Sequence, residues 1–171
     1  RAHLILLTLL LGVSNFIMPK KSEAAPTHLI LETTKGQIEI ELLPDLAPKH
    51  VDRIIKLAST GFYDNVIFHR VIPGFMAQTG DPTGTGMGGS GTNLDAEFSD
   101  YSYREGTVGM ARAMNPNSAD SQFFICFEGC GHLTGEYTAW GQVSKGMDVV
   151  KTINEGQPPD EPDAISATSL K

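Results

Sequence analysis

Cysteine is scarce in this 171-residue chain: there are two, Cys126 and Cys130, too few for the disulfide framework that holds core-poor secreted domains together. The fold must therefore stand on a hydrophobic core, and 40% hydrophobic residues over this length suffice for one domain with a genuine interior. Positive charge is also short. Thirteen Lys and Arg against 20 Asp and Glu leave a net charge of −7, which argues against a protein that grips the phosphate backbone of a nucleic acid. The 18 glycines show no period of three, which excludes collagen, and the apolar fraction excludes a disordered tail. There is no Gly-x-Ser-x-Gly elbow to carry a hydrolase serine. No Asp or Glu sits inside an apolar motif that would raise its pKa for acid–base work, so the acidic residues read as solvated faces.

Only one long apolar run exists, and it lies at the N-terminus. Arg1 precedes Leu4–Leu11, apolar but for Thr8, and Ser22-Glu23-Ala24 supplies a small-x-small end. This reads as a secretory signal peptide over residues 1–24, cleaved after Ala24. An uncleaved membrane anchor is the alternative, because Lys20-Lys21 stands in the pre-cleavage stretch. The run falls short of the roughly 20 residues of a spanning helix, which favours cleavage. No later stretch approaches a span, so residues 25–171 are expected to form a soluble mature domain, periplasmic or secreted rather than cytoplasmic.

From His28 onward the pattern is one of short runs. His28–Thr34 and Gln37–Leu43 flank Lys35-Gly36, with Ile38, Ile40 and Leu42 on one face and Gln37, Glu39 and Glu41 on the other, so the pair reads as a β-hairpin. Pro48 suits a first helical turn, Gly61 the position beyond the last one, and Val51, Ile54, Ile55 and Ala58 share a face between them. Further strands are predicted near Ile67–Val71, Met76–Thr79, Thr107–Arg112, Gln122–Phe127, Trp140–Val143 and Ile165–Leu170. A second helix is predicted near Met147–Asn154, ended by Gly156 and Pro158-Pro159. Many short strands and two helices, without strand–helix alternation, predict a mainly β fold: a closed antiparallel barrel capped by two α-helices.

Gly84-Thr85-Gly86-Met87-Gly88-Gly89 matches the dinucleotide fingerprint in letters only. That fingerprint needs a strand before it and a helix after it, whereas here Asp81-Pro82 precedes and Ser90-Gly91-Thr92-Asn93 follows. A surface loop with backbone at positive φ is the simpler reading. Cys126, Cys130 and His132, with His69 as a fourth ligand, offer a zinc set, but their spacing is not that of a zinc knuckle, and no metal is expected. Cys126 continues the apolar run Phe123-Phe124-Ile125, where a small buried thiol is the default. Pairing with Cys130 after export stays open.

The unusual stretch is Phe68-His69-Arg70-Val71-Ile72-Pro73-Gly74-Phe75-Met76-Ala77-Gln78. Strand alternation puts Phe68, Arg70 and Ile72 on one face and His69 and Val71 on the other. An Arg among large apolar groups either snorkels to water or has a partner. An Arg paired to a carboxylate and a Phe/Met pair in the core are the plain structural readings. Ser121-Gln122-Phe123-Phe124-Ile125 shifts the balance, because Gln122 and Phe124 share a face there too. Set side by side, the two strands make an apolar pocket with an Arg and one or two Gln at its rim.

Taken together, the chain resembles the cyclophilin family of peptidyl-prolyl cis–trans isomerases, in its bacterial branch, from about His28 to the C-terminus. The matching motifs are FHRVIPGFMAQTGD (Phe68–Asp81), GTVGMAR (Gly106–Arg112), NPNSADSQFFI (Asn115–Ile125) and Gly141–Met147. The resemblance implies an eight-stranded barrel with two capping helices. It implies Arg70 as the catalytic residue, Phe75 and Met76 in the proline pocket with Gln78 as polar neighbour, Ala111 and Gln122 as peptide-backbone contacts, and Phe124 and Leu133 completing the apolar wall. Arg112, His132 and Tyr137 stand where many eukaryotic members carry Asn, Trp and His, and the Met110–Gln122 loop is one residue longer. All three are expected at the substrate-binding rim; the His132 change bears on cyclosporin binding, the other two on substrate preference.

The residue types suit that reaction. An X–Pro amide rotates over a barrier of about 18–20 kcal/mol because twisting ends its resonance. No bond to the enzyme is made, so no nucleophile, metal or cofactor is needed. An apolar pocket that grips the proline ring helps, as does a donor aimed at the prolyl nitrogen while its lone pair localises. Phe75, Met76, Phe124 and Leu133 supply the first, and Arg70, charged at all pH, the second. Gln78 is expected to orient Arg70, and His69, on the other strand face, to be structural. The rival reading is a non-catalytic module that holds proline-containing polypeptides as a chaperone; Arg70 argues against it, since the apolar wall alone would serve binding. A redox or metal sensor on Cys126 and Cys130 would need both thiols exposed. The expected partners are proline-containing polypeptides, bound by a monomer.

Overall fold

The structure, a computed structural model, describes residues 23–171. The predicted leader lies outside the described residues except for its last two positions. β1 (His28–Thr33) and β2 (Gly36–Leu42) form the expected hairpin, with Leu31 opposite Ile38 and Leu29 opposite Ile40, all four buried. α1 (Pro48–Ser59) starts on Pro48 and buries Val51, Ile54, Leu57 and Ala58. Its first turn has no cap from its own side chains; instead the Glu97 carboxylate, from a distant loop, accepts the N–H groups of Lys49 (3.0 Å) and His50 (2.9 Å).

The remaining strands are β3 (Val66–Ile67), β4 (Arg70–Ile72), β5 (Met76–Thr79), β6 (Thr107–Met110), β7 (Phe123–Cys126), β8 (Ala139–Lys145) and β9 (Ala164–Leu170). They make one sheet in the order β3-β9-β1-β2-β8-β6-β7-β5-β4. The predicted closed eight-stranded barrel is thereby corrected: among the described residues, nine strands curl into a half-barrel whose edges, β3 and β4, are consecutive in sequence but pair with β9 and β5 respectively. The reason is local. The stretch predicted as one strand breaks at Phe68-His69, where the Phe68 N–H turns to the Asp163 carbonyl (2.8 Å). The break also overturns the expected sharing of a face. Phe68 enters the main core with Val71, while Arg70 and Ile72 stay on the opposite side.

α2 (Met147–Val150) is shorter than predicted, because the following bonds tighten to the i→i+3 pattern: Thr152 N–H to Val149 carbonyl (3.0 Å) and Ile153 N–H to Val150 carbonyl (3.2 Å). Inside the curl, the hairpin, α1, Phe123, Ile125 and Trp140 form the main core. A second apolar cluster covers the outer face of β5 and β7, with Met76, Phe124 and Cys126 meeting Tyr103, Cys130 and Leu133. β7 is thus buried on both faces, which is why it reads as an unbroken apolar run. Cys126 and Cys130 are joined in a disulfide, with Cα atoms 6.0 Å apart. That replaces the free buried thiol and removes both sulfurs from any zinc set. Among the described residues no helix is long and apolar enough to cross a membrane.

Candidate active site

Register builds the site. Arg70 on β4 stands opposite Gln78 on β5, and Gln78 opposite Phe124 on β7. Ile72, Met76 and Cys126 form the next row. Both rows lie on the outer face because Val71, Ala77 and Ile125, alternating with them, fill the main core. Gly109 on β6 lies across from Phe124, and a Cβ there would stand 2.6 Å from the Phe124 ring. Its bareness leaves room for Tyr103, whose ring stacks on Phe124 at 6.0 Å between centroids. Tyr137 meets Phe124 edge-on at 5.8 Å.

A cavity of about 860 Å³ opens over these rows. Phe75, Met76, Phe124 and Leu133 give it apolar wall; Ala111, Arg112, His132 and Tyr137 line it as well, together with Arg70 and Gln78. His132 tilts against Phe75 with ring centroids 5.5 Å apart. The Ala111 N–H is committed to the Gln122 carbonyl (2.9 Å), so any contact of the Ala111 backbone with a peptide falls to its carbonyl. Arg112 is a brace. Its Nη2 and Nε donate to the Glu136 carbonyl (2.8 and 3.2 Å), its Nη1 to the Ala113 carbonyl (3.0 Å), and the guanidinium lies 4.5 Å over the Tyr137 ring.

Gln122 is the one predicted site residue that does not line this cavity. It lines an adjoining one of about 440 Å³, which shares Gln78, Gly86, Ala111 and Arg112 with the first. Its connection to the site is a chain of hydrogen bonds. Arg70 Nη1 donates to Gln78 Oε1 (3.4 Å), Gln78 Nε2 to Gln122 Oε1 (2.9 Å), and Gln122 Nε2 to the carbonyls of Gly86 (3.0 Å) and Gly88 (2.9 Å). Those glycines belong to the stretch that mimics a nucleotide fingerprint. It is the surface loop expected, with φ of 67° at Gly84 and 85° at Gly86. The buried Asp81 carboxylate ties the loop down, accepting the N–H groups of Thr83 (2.8 Å), Gly86 (2.7 Å) and Gly88 (3.0 Å) and the Thr83 hydroxyl (2.7 Å). Burial alone would raise its pKa, but these bonds outweigh burial and hold it down at about 2.

His69, expected from strand alternation to face away from Arg70, lines the cavity beside it, because the strand break turns it there. It is 7% exposed; burial, reinforced by the Arg70 charge and opposed by Asp81, keeps its pKa below the usual imidazole range. Gln157 and Pro158 also line the cavity and were missed. Their sequence signal, Gly156 followed by Pro158-Pro159, is that of a helix stop.

The model of the family described as cyclophilin type peptidyl-prolyl cis-trans isomerase/CLD matches residues 28–169. The chain belongs to the cyclophilin family. A probable peptidyl-prolyl cis-trans isomerase of Brucella suis is 51% identical over 148 residues, which cover 79% of this chain and 76% of that protein. The peptidyl-prolyl cis-trans isomerase of Synechococcus elongatus is 45% identical over 132 residues, 76% and 90% of the two chains. Among solved structures, a Cryptosporidium parvum cyclophilin type peptidyl-prolyl cis-trans isomerase overlays with a TM-score of 0.79 at 31% identity, covering 86% of this chain and 98% of its own. That protein was also solved in the presence of the dipeptide Ala-Pro. The chain is thus a peptidyl-prolyl cis–trans isomerase, and in this cyclophilin the cavity over β4, β5 and β7 is the concave site where apolar wall and a guanidinium meet.

Proposed function

We propose that this cyclophilin isomerises X–Pro bonds of proline-containing polypeptides in the cavity of about 860 Å³, with Arg70 as its catalytic residue. The supporting observation is that Arg70 stands in register with Gln78 and Phe124, so that a guanidinium edges an apolar wall while its hydrogen bonds go to amide oxygens rather than carboxylates. Phe75, Met76, Phe124 and Leu133 grip the prolyl ring. Arg70 donates to the prolyl nitrogen as rotation breaks its conjugation and its lone pair localises, which lowers the barrier without a covalent step. The Ala111 carbonyl holds the flanking chain, Gln122 braces Gln78 from behind the cavity, and Arg112, His132 and Tyr137 shape the rim. The Ala-Pro dipeptide used with the Cryptosporidium parvum relative is the kind of ligand this wall fits.

A monomer suffices for this reaction, because the cavity is walled within a single chain. Its place is the periplasm or the cell exterior, after removal of a leader ending at Ala24. The basic start and apolar run of the sequence support this, as does a disulfide between Cys126 and Cys130, a bond that persists in oxidising compartments.

Cis–trans exchange of an Ala-Pro peptide, measured by NMR with residues 25–171 and with the Arg70→Ala variant, tests the mechanism. Loss of one preorganised donor predicts a fall in kcat of about 100-fold or more in a variant that stays folded. Undiminished turnover in that variant removes Arg70 from the mechanism, and peptide binding without accelerated exchange in the parent chain removes the enzyme.

A further inference from the structure

The loop after α2 enters the site through backbone register. Gly156 forms an antiparallel bridge with Val71, accepting its N–H at 2.8 Å and donating back at 3.0 Å. In an antiparallel pair the residue after one partner lies opposite the residue before the other, so Gln157 is set against Arg70. Its Oε1 accepts from Arg70 Nε at 3.3 Å, while Gln78 Oε1 accepts from Nη1 at 3.4 Å. The guanidinium is held along two edges by neutral amide oxygens, one from β5 and one from this loop. The bridge position requires glycine: φ at Gly156 is 144°, and a Cβ there would meet Pro159 Cα at 2.5 Å. Pro158 and Pro159 then restrict the chain beyond Gln157, with Pro159 buried.

We infer that Gln157 is a positioning residue of the isomerase, an acceptor that fixes the Nε edge of Arg70 so that the remaining N–H groups face the X–Pro bond. The inference rests on Arg70 being the catalytic residue. An Arg side chain is rich in rotamers, and a group already fixed before the bond turns needs no reordering in the transition state. Both acceptors are uncharged, so they orient the guanidinium without dividing its charge with a counter-ion.

Four variants assayed by NMR exchange on an Ala-Pro peptide, with kcat and KM separated, test it. Gln157→Leu keeps the bulk and removes the acceptor; the loss of one modest hydrogen bond predicts a kcat lowered between about threefold and about tenfold, with KM little changed. Gln157→Glu restores an acceptor but sets a charge against the guanidinium, so its kcat is expected above that of Gln157→Leu and below that of the parent. In an Arg70→Ala background, Gln157→Leu is expected to cost nothing further, because its effect passes through Arg70. Wild-type kcat in Gln157→Leu, a loss confined to KM, a kcat in Gln157→Glu no higher than in Gln157→Leu, or the same loss in the Arg70→Ala background overturns the inference. Collapse in Arg70→Ala with none in Gln157→Leu sinks the inference alone; full activity in Arg70→Ala sinks the reading beneath it as well.

Discussion

Replacing Asp81 by Asn should loosen the active site from behind. Asp81 spends one oxygen on the N–H and hydroxyl of Thr83 and the other on the N–H groups of Gly86 and Gly88. An Asn amide nitrogen has no lone pair to offer, so one of those oxygens becomes a donor facing donors. Turned toward Thr83, it loses one N–H partner, while the hydroxyl can rotate to accept; turned the other way, it loses both glycines. The pKa held at about 2, against an ordinary 3.8, corresponds to no more than about 2 kcal/mol of stability at neutral pH. For a domain of this size that is a fall in Tm of about 4–8 °C. The sign follows from the depressed pKa: the contribution is complete above the unfolded value and is lost as pH falls through it toward the folded one. The stability curves of parent and variant, from denaturant titrations between pH 7 and 2, should therefore lie apart at neutral pH and converge near pH 2. The rate should fall too, since Gly86 and Gly88 receive the Gln122 amide that carries Gln78 and, through it, Arg70. A gap that stays constant down to pH 2 would refute the assignment to the carboxylate charge, and an unchanged exchange rate would refute the relay from loop to Arg70.

Phe124→Ala removes a nearly buried ring packed between Tyr103 and Tyr137, so it should cost about 3 kcal/mol of stability and raise KM as well as lower kcat; an effect on stability alone, seen by parallel melting and NMR exchange, would make Phe124 core and not pocket. Converting both Cys126 and Cys130 to Ala opens a short loop, at a cost of about 2 kcal/mol by chain entropy. The same double change should weaken peptide binding, because Cys130 leads into the Gly131–Leu133 turn that carries His132 and Leu133; peptide affinity equal to the parent's would show that this wall stands without the disulfide.

Much of this was legible in the residues because period-two alternation and helix punctuation are local. The hairpin, α1 from Pro48, and β5 at Met76–Thr79 appear where the pattern puts them. The closed barrel was not legible, because it turned on whether Ile67–Val71 was one strand, and the break at Phe68-His69 is fixed by partners far along the chain, Asp163 and Gly156. That same break hid two features of the site. It sends Phe68 inward and brings His69 to the cavity, inverting the faces that unbroken alternation assigns. Gln157 was hidden for the related reason that a bridge between residues 71 and 156 leaves no periodic trace. Gln122 shows the opposite limit: its residue type points to the site, and its neighbour Gln78 lines the cavity, but only the fold shows that Gln122 itself lies one layer behind it.

An acidic chain with a cationic site needs an electrostatic explanation, and the hydrogen bonds supply one. Several other cations lie against carboxylates: Arg53 with Asp120, Lys35 with Asp163, Lys151 with Glu105. Arg70 and Arg112 bind amide and carbonyl oxygens instead. A carboxylate would hold Arg70 more firmly, but it would also offset, in the ground state, the field that a localising nitrogen lone pair has to feel. Neutral acceptors orient the guanidinium and leave that field in place. The net charge of −7 is a sum over the whole chain, whereas the proposed catalysis depends on one cation positioned by dipoles beside an apolar wall.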